Sequence, residues 1–145
     1  MTAVATEERR YPPARVLLAE DDAEFRAVVA RALRRNGYEV IEAKDGTELV
    51  GLLTDALLTG GIDATYDIVI SDIRMPGYSG LEILHGVRES GSAPPVVLIT
   101  AFGDERTHEI ARRLGSVGVL DKPFEMDDLQ MAVLNTLAHR GIPLE

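Results

Sequence analysis

The chain has 145 residues and a mass of 15.8 kDa, with 46% hydrophobic and 27% charged residues, a size and composition that suit one globular domain with its own core. Asp plus Glu outnumber Lys plus Arg by 24 to 15, a net charge of −9, which argues against nucleic acid or anionic lipid as a direct partner. Cysteine is absent, which excludes disulfides and thiolate chemistry; there is also neither a membrane-length apolar run nor an apolar export signal, so a cytoplasmic location is expected.

Residues 1–14 are polar and run into Tyr11-Pro12-Pro13, which reads as a flexible tail before a domain over 15–140. Val16-Leu17-Leu18-Ala19 is a short apolar run, the mark of a buried strand, and it stops at Glu20-Asp21-Asp22. Phe25, Val28, Val29, Ala32 and Leu33 then follow the 3.6-residue period of an amphipathic helix, with Asp22 placed to cap it and Gly37 to end it. Tyr38 to Ala43 predicts a second strand. Asp45-Gly46-Thr47-Glu48 has the form of a capping box before a helix through Leu49, Leu53 and Leu57, which Gly60-Gly61 stops.

Asp67 to Asp72 predicts a third strand that again ends in a carboxylate, and Pro76-Gly77 marks a turn. Ser79 and Glu82 form a second capping box before a helix through Leu84 and Val87. Pro95 to Thr100 predicts strand four, Asp104 to Leu114 a polar helix, Val117 to Leu120 strand five, and about Met126 to His139 the last helix. Residues 141–145 read as a short tail or the start of a linker. Five strands alternate with helices, and the strands are apolar on both faces. The expected fold is therefore α/β: a doubly wound, five-stranded parallel sheet with helices on both faces.

The polar residues gather at one end of that sheet. Glu20 and Asp21 follow strand one, Asp72 closes strand three, Thr100 closes strand four, and Lys122 follows strand five. In open α/β sheets the carboxyl ends of the strands form the binding rim. Clustered carboxylates repel unless a cation compensates. All-oxygen ligands suit a hard divalent ion, Mg²⁺ or Mn²⁺. A metal, a lysine, a hydroxyl and a carboxylate nucleophile together suit phosphoryl transfer. Each residue also has a plain structural reading. Glu20, Asp21 and Asp72 are placed as solvated caps, Thr100 as strand filler and Lys122 as a surface lysine. Asp22 reads as a helix cap, and His85, His108 and His139 as surface residues.

The runs Leu17-Leu18-Ala19-Glu20-Asp21-Asp22, Asp72-Ile73-Arg74-Met75-Pro76-Gly77, Ile99-Thr100-Ala101-Phe102 and Lys122-Pro123-Phe124, in this order, resemble the receiver domain of bacterial two-component response regulators, over about residues 15–139. The resemblance implies a flavodoxin-like strand order, 2-1-3-4-5, and a phosphoaccepting Asp72. It also implies a Mg²⁺ site of Glu20, Asp21, Asp72 and the Arg74 carbonyl, with Glu20 acting through water. Thr100 and the Ala101 N–H would bond the phosphoryl group, Lys122 would pair with it or with Asp72, and Lys122-Pro123 would be cis. The implied donor is a histidine kinase or a histidine phosphotransfer protein. Output would pass to a downstream protein target, or to a second copy, through the face of helix 4, strand 5 and helix 5. The protein would catalyse only its own phosphorylation and dephosphorylation.

Three features depart from the family pattern. Val119 stands where an aromatic switch residue is usual. Asp121 precedes Lys122, where it either competes for the lysine or points to solvent. Asp21 and Asp72 are 51 positions apart, and the excess falls around residues 53–66, as a tolerated insertion or a partner contact. Arg74 and Phe102 flank the route of hydrolytic water in the family, so slow self-dephosphorylation is expected. The alternatives are a receiver fold whose switch has decayed and, behind it, a phosphatase-like enzyme with an aspartyl nucleophile. The latter wants an acid where Arg74 stands. A flavodoxin-like cofactor binder is disfavoured because the acidic cluster would repel its phosphate.

Overall fold

The computed structural model describes residues 13–101 and 103–140. The tails at 1–12 and 141–145, and Phe102, lie outside the described residues. The elements are β1 (Arg15–Ala19), α1 (Ala23–Arg35), β2 (Glu39–Ala43), α2 (Gly46–Leu58), β3 (Ile68–Asp72), α3 (Gly80–Glu89), β4 (Val96–Thr100), α4 (Glu105–Arg113), β5 (Gly118–Asp121) and α5 (Met126–His139). A one-turn helix, Ile62–Thr65, precedes β3. All strand pairings are parallel and the order is β2-β1-β3-β4-β5, as expected.

The two faces of the sheet carry separate cores, because alternate residues of a strand point to opposite sides. Val16 and Leu18 of β1 join Ile68, Ile70, Val97 and Ile99 beneath α1 and α5. Leu17, Val69, Val96 and Leu98 meet Leu49 and Leu53 of α2, Ile83, Leu84 and Val87 of α3, and Ala111 of α4. Fully burying each large aliphatic side chain contributes about 1.5–3 kcal/mol, so the two layers together fix the register that aligns the strand ends.

Local signals act largely as the sequence predicts. Asp22 accepts from the Glu24 and Phe25 N–H groups at 3.1 Å, and Ser79 with Glu82 closes a complete capping box. The Asp45–Glu48 pair differs. Asp45 accepts from the Glu48 N–H, but the Glu48 carboxylate accepts from the Lys44 N–H instead of from Asp45, so it ties down the residue before the cap. Strand five begins one residue later than expected. The Ser116 hydroxyl bonds the Gly118 carbonyl and accepts from the Gly118 N–H, which bends the chain at Val117, while at the other end Asp121 pairs with Thr100 and β5 extends to it.

The excess chain around residues 53–66 is ordered against the body. The Ile62 N–H donates to Ser92 Oγ at 3.1 Å and the Asp63 N–H to the Ser92 carbonyl at 3.0 Å. Gly46 opens α2 directly against the β3–α3 loop, where a Cβ would strike the Tyr78 backbone. Replacing Gly by Ala within a helix ordinarily gains about 1 kcal/mol. Here the clash with backbone outweighs that gain, since overpacking costs about 1–3 kcal/mol. Gly46→Ala is expected to lower the urea midpoint, whereas Gly51→Ala, whose Cβ meets open space, is expected to raise it.

Candidate functional site

The strand order decides which side chains meet. β1 and β3 are neighbours, so Glu20, just beyond Ala19, stands beside Asp72 at the end of β3. Lys122 leaves β5 and reaches past the end of β4. Its ammonium lies 2.8 Å from Asp72 Oδ2 and 3.0 Å from Glu20 Oε1. Its own N–H donates to the Thr100 carbonyl at 2.8 Å, which anchors the Lys122-Pro123 segment to β4. That peptide bond is cis.

Glu20 and Asp72 are almost fully buried, whereas Asp21 is exposed. The second oxygen of Glu20 accepts from the Asp22 N–H at 3.0 Å. Asp72 Oδ1 accepts from the Arg74 N–H at 3.2 Å. Arg26 donates to the Glu20 carbonyl at 2.7 Å, holding the strand end from below. Oxygens of Glu20, Asp21 and Asp72 all lie within 4.8 Å of one another, the only group of three such residues found among the described residues.

One ammonium does not balance this set. Burial pushes the Glu20 carboxyl up to about 7, against the lowering effect of the Asp22 N–H and Lys122 and with the Asp72 charge adding to the rise. Burial alone would pull Lys122 down, but its bonds to Asp72 and Glu20 outweigh that and hold it above the usual lysine value. Oxygen donors, a deficit of positive charge and an exposed Asp21 at the mouth together fit a hard divalent cation.

Thr100 is buried at the end of β4, and Ala101 follows it in exposed chain. Arg74 is exposed in the loop after β3. All the sequence candidates thus occupy one end of the sheet, and Glu20, Asp21, Asp72 and Lys122 come together directly. Asp121 is exposed at the end of β5, the solvent-facing one of its two expected courses. There its carboxylate bonds Nε2 of the surface residue His108 at 2.8 and 3.1 Å, a tie between α4 and β5 that the sequence did not signal. Phe25 also has an unforeseen contact. The Lys122 ammonium lies 4.7 Å from its ring centroid, a cation–π contact, and Phe124 packs edge-on to the same ring. Phe25 signalled only a helix stripe in the sequence, because its two partners lie about a hundred positions away.

Comparisons with known proteins agree with this arrangement. The response regulator receiver domain profile matches residues 16–134. The transcriptional regulatory protein PdtaR of Mycobacterium tuberculosis is 38% identical over 134 residues, covering 92% of this chain and 61% of that protein; the chain thus spans about three-fifths of its length. Among solved structures, the chemotaxis protein CheY4 of Vibrio cholerae superposes with a TM-score of 0.75 at 28% identity, covering 86% of this chain and 99% of that one. A receiver domain protein from Clostridium thermocellum gives 0.78 at 26% identity, covering 88% and 97%.

A divalent cation that binds only the folded chain stabilises it by about 2.7 kcal/mol at a hundred times its Kd. Titrating Mg²⁺ or Mn²⁺ into the protein is expected to raise the denaturation midpoint. Asp21→Asn, at an exposed position, is expected to fold as the parent does and to lose most of that rise.

Proposed function

The chain belongs to the response regulator receiver family, and on that premise we propose that it is a phosphorylation-controlled signalling module whose acceptor is Asp72. The observation that carries this reading is the meeting of Lys122, Asp72 and Glu20 within hydrogen-bonding distance, beside an exposed third carboxylate. Such a set can neutralise a phosphoryl group while presenting one carboxylate oxygen to phosphorus.

The donor in this reading is a phosphohistidine on a histidine kinase or a histidine phosphotransfer protein, which places the reaction in the cytoplasm. An Asp72 carboxylate oxygen forms the new O–P bond as the N–P bond of the donor breaks, and the imidazole leaves with the electron pair of that bond. Lys122 exchanges its bond to Asp72 for one to the transferred group. The Thr100 hydroxyl and the Ala101 N–H bond the remaining phosphoryl oxygens. Glu20, Asp21, Asp72 and the Arg74 carbonyl would hold Mg²⁺, which when bound screens the charge on the carboxylate and phosphoryl oxygens. The product is an acyl phosphate that water later hydrolyses, so the protein acts on itself and needs no separate substrate.

Output through the face of α4, β5 and α5, to a protein target or a second copy, remains part of this reading. Val119 is a partly buried core neighbour and has no ring to swing. The His108–Asp121 bond is better placed to follow movement at Thr100, because Thr100 and Asp121 are paired in register. The decayed-switch alternative is disfavoured by the complete set of Glu20, Asp21, Asp72, Thr100 and Lys122.

Two measurements test this reading. Incubation with a small-molecule phosphodonor and Mg²⁺, followed by intact mass, is expected to show one phosphoryl adduct that Asp72→Asn does not form. The absence of an adduct in the parent would support the decayed module. The phosphorylated protein is expected to lose its phosphoryl group slowly, and faster in Arg74→Ala and Phe102→Ala, the two positions that flank the route of hydrolytic water in the family pattern. Decay unchanged in both variants would remove that shielding role.

A further inference from the structure

The Lys122 ammonium loses part of its hold on the rim at the moment the reaction calls on it. It rests on Asp72 and Glu20, the same carboxylates proposed to hold a divalent cation, and the charge of that cation repels it. Transfer to Asp72 then takes away the Asp72 bond as well. One neighbour of the ammonium is untouched by either event. The Phe25 ring lies against it, with its centroid 4.7 Å away. The face of an aromatic ring attracts an ammonium, yet it offers no oxygen to a hard metal.

The ring is fixed to the site from two sides. Phe25 lies in the first turn of α1, where its N–H donates to Asp22 Oδ1 at 3.1 Å, and the Asp22 N–H donates in turn to Glu20 Oε2 at 3.0 Å. Phe124, two residues beyond Lys122, meets the Phe25 ring edge-on, with centroids 5.8 Å apart and planes at 74°. Both rings are partly buried against the core layer beneath α1 and α5. Phe25 is thus tied to Glu20 through Asp22, and to the Lys122 segment through Phe124.

Resting on the reading of Asp72 as phosphoryl acceptor, we propose that Phe25 is a positioning residue for that transfer: its ring keeps the Lys122 ammonium at the rim while Asp72 and Glu20 turn to the cation and to phosphorus. Phe25 acts only through Lys122. A contact of equal strength throughout the reaction would leave the rate unchanged. This one counts most once the carboxylates have been drawn away, so weakening it slows transfer without weakening the metal site.

The test replaces Phe25 alone by mono-, di- and trifluorophenylalanine, which keep the shape of the ring and progressively remove the negative charge of its face. At saturating acetyl phosphate and Mg²⁺, adduct formation is expected to slow stepwise, by about fivefold across the series. The Mg²⁺ concentration giving half the maximal rate is expected not to rise. A ring that served only as packing would leave all the rates alike. A second readout needs no phosphodonor. The chain has two lysines, Lys44 and Lys122, and Lys44 is exposed, so isotope-labelled lysine gives one magnetic-resonance signal at the rim and one reference. The Lys122 side-chain signal, displaced by the ring current of Phe25, is expected to stay displaced when Mg²⁺ alone is added to the parent, and to move towards that of Lys44 in the trifluoro variant. The inference is overturned, with the acceptor reading intact, if the parent forms its adduct and the whole series reacts at one rate, or if Mg²⁺ brings the Lys122 signal onto that of Lys44 in the parent. A parent that forms no adduct overturns both.

Discussion

The structure turns on a single ammonium group shared by two buried carboxylates. Lys122 reaches Asp72 and Glu20 only because β1 and β3 are adjacent and β4 alone separates β3 from β5, with the Lys122 N–H fixed to the end of β4. Buried ion pairs seldom contribute much net stability, since desolvation offsets the attraction. Burial still raises the Glu20 carboxyl against the pull of Lys122, a sign that the ammonium does not fully offset the buried negative charge. The two apolar layers hold that rim together, and its own electrostatics work against them. A site poised in this way favours a divalent cation, which would offset its own carboxylates and the charge of an arriving phosphoryl group.

Most of the fold could be read from the chain because its signals agree with one another. Unbroken apolar runs such as Val96 to Ile99 indicate strands covered on both faces. The stripe from Phe25 to Leu33 and the Ser79–Glu82 box indicate helices and their starts. The carboxylates at the ends of strands one and three locate the rim, since a charged residue ending a buried strand is costly unless it serves a site.

What could not be read depends on contacts between distant residues. The Ile62–Thr65 turn has too few residues to show a period, and it exists because Ser92 offers it partners. The His108–Asp121 bond joins side chains 13 positions apart on two different elements, α4 and β5, a pairing that no local period signals. The Phe25 ring beneath Lys122 needs the whole sheet to bring its partners together. Glu48 accepts from the Lys44 N–H, one residue ahead of the cap, a choice between neighbouring donors that the sequence pattern leaves open.

The loop after β3 ties the carboxylate rim to the start of α2. The loop after β3 carries Arg74 at one end and Tyr78 at the other, and Gly46 and Gly77 let it pack against the start of α2 with no room for a Cβ.

The central claim is that Glu20, Asp21 and Asp72 form one cation site beside Lys122. Crystals grown with Mn²⁺ and measured for anomalous scattering test it most directly. The expected result is a single strong peak within coordination distance of Asp21 and Asp72, with Lys122 still beside the Asp72 carboxylate. A peak elsewhere on the molecule, or Asp72 lying apart from Asp21 with no peak between them, would contradict it.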